Sequence, residues 1–292
     1  MALPAPVALI DRQPWLDPLG DRLQNGILAA WEAAGTAGRR VKNFLHGVWL
    51  GHPLHPVLTD VPLGAWTVAL SLDAMDSIGG RRRFARGADA AVAVGLAGAV
   101  GAAVTGMNDW AHTSGSSRRI GLVHGMLNTT AAALYTTSFI LRRRGARAEG
   151  QGFAMLGFAV SMAAAYLGGN LVYHERVGVS HADDRPGPRD FVPVLADAEL
   201  GEGQMRRVNA DGVSVVVARC GGAVFAVGEV CSHMGGPLAE GRLEGESVRC
   251  PWHGSRFALE DGRVLEGPAT FPQPCFDTRI RAERIEVRAA RR

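Results

Sequence analysis

Charge is scarce in this 292-residue chain: Asp, Glu, Lys and Arg make up 20% of it, against 47% hydrophobic residues. That balance excludes an intrinsically disordered chain, because too little is present to keep the backbone solvated. Cysteine is scarcer still, with four in all, too few for a disulfide-stapled secreted miniprotein. Lysine occurs once, as Lys42, so nearly all of the 31 basic residues are arginine. The formal net charge of +3 falls short of the concentrated basic face that nucleic-acid binding needs, and no nucleic-acid partner is expected. The length allows one large domain or two ordinary ones.

What is present divides near residue 180. Four apolar segments run at about 57–75, 88–107, 120–141 and 152–173, each close to the twenty residues a helix needs to cross a hydrocarbon core. The charges inside them are Asp60, Asp73 and, at the start of the second, Asp89. A soluble bundle would carry a charged stripe along every helix, and these segments have none. Gly95, Gly98 and Gly101 would let helix backbones approach closely in lipid. The pattern predicts a four-helix transmembrane domain over 51–180, hence a multi-pass protein of the cell membrane with the lipid bilayer as a partner. Residues 1–50, with Trp15, Trp31 and the group Arg39, Arg40, Lys42, lack the order of a signal peptide and suit an interfacial amphipathic helix. Residues 181–189 read as a polar linker. Short Val-rich runs bounded by glycine, such as 212–218 and 222–227, make 190–292 a small all-β domain. The fold class expected is multidomain: an all-α four-helix transmembrane bundle followed by an all-β domain.

Chemistry concentrates in the second half. Cys231-Ser232-His233 is followed, after sixteen residues, by Cys250-Pro251-Trp252-His253. Two thiolates and two imidazoles on two short loops can hold one tetrahedral zinc or an asymmetric iron–sulfur cluster. A zinc site usually draws two thiols from one knuckle and two imidazoles from the other. Here each loop supplies one of each, which suits two thiolates on one iron and two imidazoles on its neighbour.

The runs 231–238 (CSHMGGPL) and 250–257 (CPWHGSRF), with Gly267-Pro268-Ala269 beyond them, resemble a Rieske [2Fe-2S] domain of the ferredoxin type. The resemblance implies a [2Fe-2S] cluster with Cys231 and Cys250 on the buried iron and His233 and His253 on the exposed one. It makes Leu238, Pro268 and the 267–269 turn a shield against water, and gives Ser255 a hydrogen bond to donate to a cluster sulfide. The disulfide that respiratory members carry would fall on Gly236 and Trp252, so it cannot form here. Phe257 stands where high-potential relatives have a tyrosine. With one donor fewer, the reduced cluster is less well compensated, and a potential in the lower part of the roughly −150 to +300 mV Rieske span is expected. Cys220 and Cys275 read as buried free thiols.

The remaining histidines, His46, His52, His55, His112, His124, His174 and His181, all fall at one end of the apolar segments. Asp60, Asn128 and Asn170 lie about a turn deeper, and His124 and Asn128 share a helical face. Polar groups at such depth are costly and suggest a site. Haem b would need two facing imidazoles, and a quinone would need a base; caps that merely bond headgroups are the plainer alternative. The block 51–64 (GHPLHPVLTDVPLG) resembles a family of bacterial four-helix membrane domains, which supports the membrane assignment and brings no activity with it. The side of the membrane stays open. Arg81, Arg82, Arg83 and Arg86, and Arg142, Arg143, Arg144 and Arg147, mark two loops as cytoplasmic. Against that stand Arg39, Arg40, Lys42, Arg118 and Arg119 on the other face, and the absent disulfide.

These features describe a membrane-anchored one-electron carrier with a redox protein or a quinone as partner. A quinol-oxidising or haem-containing unit, and a non-catalytic redox sensor or docking module, are the alternatives. A ring-hydroxylating oxygenase is disfavoured, since the 39 residues after His253 leave no room for a mononuclear iron domain.

Overall fold

The computed structural model describes residues 5–79 and 82–290; Gly80 and Arg81 of the first arginine loop lie outside the described residues. The chain forms two units, Met1–Gly35 with Leu54–Val177, and Thr36–Pro53 with Gly178–Arg292.

The first unit is helical. Two short N-terminal helices, α1 (Ala5–Asp11) and α2 (Asp17–Ala33), precede four long ones: α4 (Leu54–Gly79), α5 (Ala85–Trp110), α6 (Gly115–Arg143) and α7 (Arg147–Tyr173). The long helices contain the four apolar segments and overrun each of them by a few residues. By length and composition α5 and α7 are apolar enough to cross a membrane. Among the described residues only these two of the four expected spans pass that test: Asp60, Asp73 and Asp76 interrupt α4, while α6 carries Arg118 and Arg119 in its first turns and is rich in Ser and Thr. Val57, Val61 and Val68 on α4, Val94, Val100 and Val104 on α5, and Met155 and Leu156 on α7 are exposed, an outward apolar face that water would disfavour.

The α4–α5 and α6–α7 hairpins repeat one another. His124 follows His55 by 69 positions, as Tyr135 follows Trp66 and Arg142 follows Asp73. On the second helices, 62 positions separate Gly95 from Gly157, Ala102 from Ala164, Gly106 from Gly168 and Asn108 from Asn170. The equivalent residues of the first helices meet. The His55 and His124 ring centroids are 6.4 Å apart, Trp66 stacks on Tyr135 at 3.9 Å, and Asp73 pairs with Arg142. That is the pattern of an approximate two-fold axis running along the bundle, as in proteins built from parallel repeats. Glycine is required where the aromatics cross it: a Cβ at Gly95 would lie 2.1 Å from Trp66 Nε1, and one at Gly157 3.1 Å from the Tyr135 ring.

Two of the arginines counted in the α6–α7 loop are not loop charges. The Arg142 side chain is fully buried and Arg147 nearly so. Arg142 Nη1 lies 3.0 Å from Asp73 and 3.2 Å from Asp89, and Arg147 Nη1 lies 2.8 Å from Asp89. Buried charges persist only when paired, so this knot binds all four long helices and removes two charges from the membrane-side tally. Arg118 and Arg119 are likewise held by Asp17 at 2.9 and 2.6 Å, which ties α2 to α6.

The second unit is β-rich. A six-stranded antiparallel sheet has the order β1-β10-β9-β4-β3-β2, and a four-stranded one β5-β6-β7-β8. The strands are β1 (Val192–Ala196), β2 (Met205–Ala210), β3 (Val213–Cys220), β4 (Ala223–Gly228), β5 (Arg242–Leu243), β6 (Ser247–Arg249), β7 (Arg256–Ala258), β8 (Val264–Glu266), β9 (Cys275–Arg281) and β10 (Arg284–Ala289). Three hairpins turn on two residues with positive φ, Asp211-Gly212, Gly221-Gly222 and Ala282-Glu283, the turn whose twist suits paired strands. Along β3 the side chains alternate between two cores. Val216, Ala218 and Cys220 pack with Leu238, Val248 and Phe257, and Val215 and Val217 with Leu200, Ile285 and Val287. The helix α3 (Gly35–His46) also lies in this unit. The segment read as one interfacial stretch is therefore several helices, shared between the two units.

Candidate metal centre

Two loops of like construction carry the Cys/His motifs. The Cys231 carbonyl accepts from Gly235 N at 2.9 Å and the Cys250 carbonyl from Gly254 N at 3.2 Å. Both glycines have positive φ, 79° and 76°, so each loop closes tightly behind its cysteine. The Cys250 N–H donates to Ser255 O at 2.8 Å, and the Cys231 N–H to Gly236 O at 2.9 Å. Arg249 braces the second loop by donating to Gly254 O at 2.8 Å while Glu244 and Glu266 hold its guanidinium.

The four motif side chains sort into two pairs. The Cys231 and Cys250 thiols are buried in one core. The neighbouring Cys231, with help from the Trp252 and His253 amides, lowers the Cys250 thiol from its ordinary value. Cys250, and then burial, push Cys231 well up. The His233 and His253 rings stand perpendicular with centroids 5.1 Å apart, about the separation of two imidazoles on one tetrahedral ion whose metal–nitrogen bonds are about 2 Å. A two-iron cluster of mixed ligation takes two thiolates and two imidazoles, the set these loops supply. The residues present fit the cluster.

The other residues singled out from the sequence surround the pairs. Leu238 is fully buried in the same core as both cysteines and Ala269, and Pro268 is buried beside it in sequence. The buried Ser255 hydroxyl accepts from Ala269 N at 2.9 Å, which fastens the 267–269 turn to the second loop and leaves the hydroxyl proton for another acceptor. A Cβ at Gly236 would lie 3.1 Å from the Trp252 ring, so the two positions face each other. Cys220 is buried, and the half-buried Cys275 donates its thiol to Gln273 O at 3.7 Å.

Sequence reasoning missed the contribution of α3 and its following loop. Asn43 Oδ1 accepts from Gly267 N at 3.0 Å, and His46 and Val48 crowd the same glycine. His181 N donates to Ser232 O at 2.9 Å. Burial, then His253, His46, His181 and Lys42, hold His233 well below the usual imidazole range; burial and Lys42 do the same to His253. His46, buried and near Lys42, is lowered to about 3. Of the seven other histidines, His46, His52 and His181 thus belong to this unit, and His55, His112, His124 and His174 to the helical one.

Comparison with known proteins follows the same division. Residues 190–277 match the Rieske [2Fe-2S] domain family, and residues 51–181 match a family of predicted membrane proteins, DUF2231. Ferredoxin CarAc of Metapseudomonas resinovorans is 31% identical over 98 residues, covering 33% of this chain and 92% of that protein. Apoptosis-inducing factor 3 of Homo sapiens is 34% identical over 133 residues, which is 44% of this chain. The chain spans only about a fifth of that protein's length, 22%. The solved ferredoxin of carbazole 1,9a-dioxygenase from Nocardioides aromaticivorans IC177 aligns with a TM-score of 0.33 at 28% identity, covering 34% of this chain and 98% of the ferredoxin.

Proposed function

Because the chain belongs to the Rieske [2Fe-2S] family through residues 190–277, we propose that it is a membrane-anchored one-electron carrier. Cys231 and Cys250 hold the inner iron and His233 and His253 the outer, and the cluster so bound supplies one-electron chemistry. Leu238, Pro268 and Ser255 exclude water and steady the second loop. The observation that carries the assignment is the grouping of the motif into two cysteines buried in one core and two histidines with ring centroids 5.1 Å apart. Its test is substitution. Cys250→Ser and His253→Ala each abolish the paramagnetic signal of the reduced cluster in protein that still folds; a full signal in either variant defeats the assignment.

The relatives named as ferredoxin components of dioxygenase systems make a redox protein the expected partner. For the anchor we assign all four long helices to the membrane, two of them through internal satisfaction of polar groups. On α6 the hydroxyls of Thr129, Thr130, Thr136 and Thr137 donate to carbonyls one turn back at 2.8–3.0 Å, as lipid-facing threonines must. Retention in membranes after an alkaline carbonate wash is the expected result, and release is the contrary one.

A second reading gives the bundle a redox group of its own, haem b or a quinone. It is favoured by the pairing of His55 with His124 across the repeat axis.

A further inference from the structure

We infer that His55 and His124 are the two ligands of a second metal centre, a d-block ion held between paired imidazoles, either bare or carried in a haem. The inference deepens the second reading above and does not depend on the cluster.

Both rings are prepared in the same way by equivalent residues. His55 Nδ1 lies 2.9 Å from the Ala102 carbonyl on α5, and His124 Nδ1 lies 2.8 Å from the Ala164 carbonyl on α7. A carbonyl can only accept, so each Nδ1 bears the proton and each Nε2 carries a lone pair. Tying the far nitrogen to a carbonyl is how metal-binding histidines are oriented. Each ring also lies over a glycine of its partner helix. A Cβ at Gly106 would stand 2.7 Å from His55 Cε1, and one at Gly168 3.1 Å from His124 Cε1. A structural tie between two helices needs one such histidine anywhere along a hairpin. Here both repeats place one at the same height, on the axis, where the two meet.

The ring centroids are 6.4 Å apart with planes at 88°. Two imidazoles on opposite sides of one ion, each nitrogen about 2 Å from it, put their ring centres about 6 Å apart. Neutral nitrogen ligands without a thiolate or a carboxylate between them suit iron or copper rather than magnesium or calcium. The Asn128 amide now donates to His124 Nε2 at 3.1 Å and to the His124 carbonyl at 3.0 Å; it would give up the first bond to the ion and keep the second. Thr105 Oγ1 is 3.5 Å from His55 Nδ1.

The test uses the detergent-purified full chain, titrated with haemin in one arm and with Cu(I) under reductant in the other. Metal and tetrapyrrole content of the protein as isolated are measured alongside. Saturation at one equivalent in the haemin arm, with a low-spin bis-imidazole spectrum, assigns the site to haem. Saturation at one equivalent in the copper arm alone assigns it to a bare ion. His55→Asn and His124→Asn each abolish that binding, because asparagine keeps an N–H for the carbonyl but offers no lone-pair nitrogen. Their thermal transitions and cluster signals stay close to those of the parent. Absence of saturable binding in both arms, or binding unchanged in both variants, overturns the inference. A missing cluster signal beside intact binding would count against the Rieske assignment and leave this one standing.

Discussion

Gly236 packs so closely on Cys250 that a Cβ at position 236 would lie 2.9 Å from the thiol sulfur. The first loop therefore runs backbone against the sulfur of the second, and the thiol pair is set by a residue with no side chain. Gly236→Ala is expected to displace Cys250 and cut iron retention at least several-fold while the β-sheets persist. Iron content against far-ultraviolet circular dichroism checks it, and a fully loaded alanine variant contradicts it.

Phe257 is fully buried in the core shared with both cysteines, and it offers the cluster no hydrogen bond. Phe257→Tyr is expected to raise the reduction potential, because a new donor compensates the added electron. Lys42 acts in the same direction from α3, through its positive charge near His233 and His253. Lys42→Gln is expected to lower the potential by on the order of tens of mV. Redox titration of the two variants should move them oppositely about the parent value.

His46 gives α3 a pH dependence. Its folded value, about 3, lies below the ordinary 6.5, so folding favours the neutral ring. The stability it contributes is complete above 6.5 and is lost progressively as pH falls from there toward 3. Acidification through that window should loosen α3 from the β unit, read as faster hydrogen exchange at Gly267, whose N–H Asn43 holds. His46→Phe should flatten the dependence; an unchanged profile would remove His46 as its cause.

Much of this was legible in the sequence. The Cys/His spacing was readable because metal ligands are few in kind and fixed in position, and the long helices because twenty apolar residues admit few other structures. The hairpin repeat was not, since only scattered positions such as His55 and His124 are preserved between the halves. The allegiance of α3 was not either: its pattern shows an apolar face and does not say what it covers. Asp73 and Arg142 looked like a stray acid and a loop base, 69 positions apart, until the fold joined them.

That joining has an energetic consequence. Asp73→Asn leaves Arg142 buried with less compensation, and loss of about 3 kcal/mol is expected. Asp73→Leu with Arg142→Met should recover most of it. Thermal melts in detergent test the pair, and a single variant as stable as the parent would show that the knot is not a stabilising element.

The central claim is most directly tested by reducing the detergent-purified protein with dithionite and recording its visible and paramagnetic resonance spectra. The account predicts bleaching of the visible bands together with a rhombic signal integrating to about one spin per chain, the behaviour of a [2Fe-2S] centre with mixed thiolate and imidazole ligands. A colourless protein carrying a single zinc ion and giving no signal would contradict it.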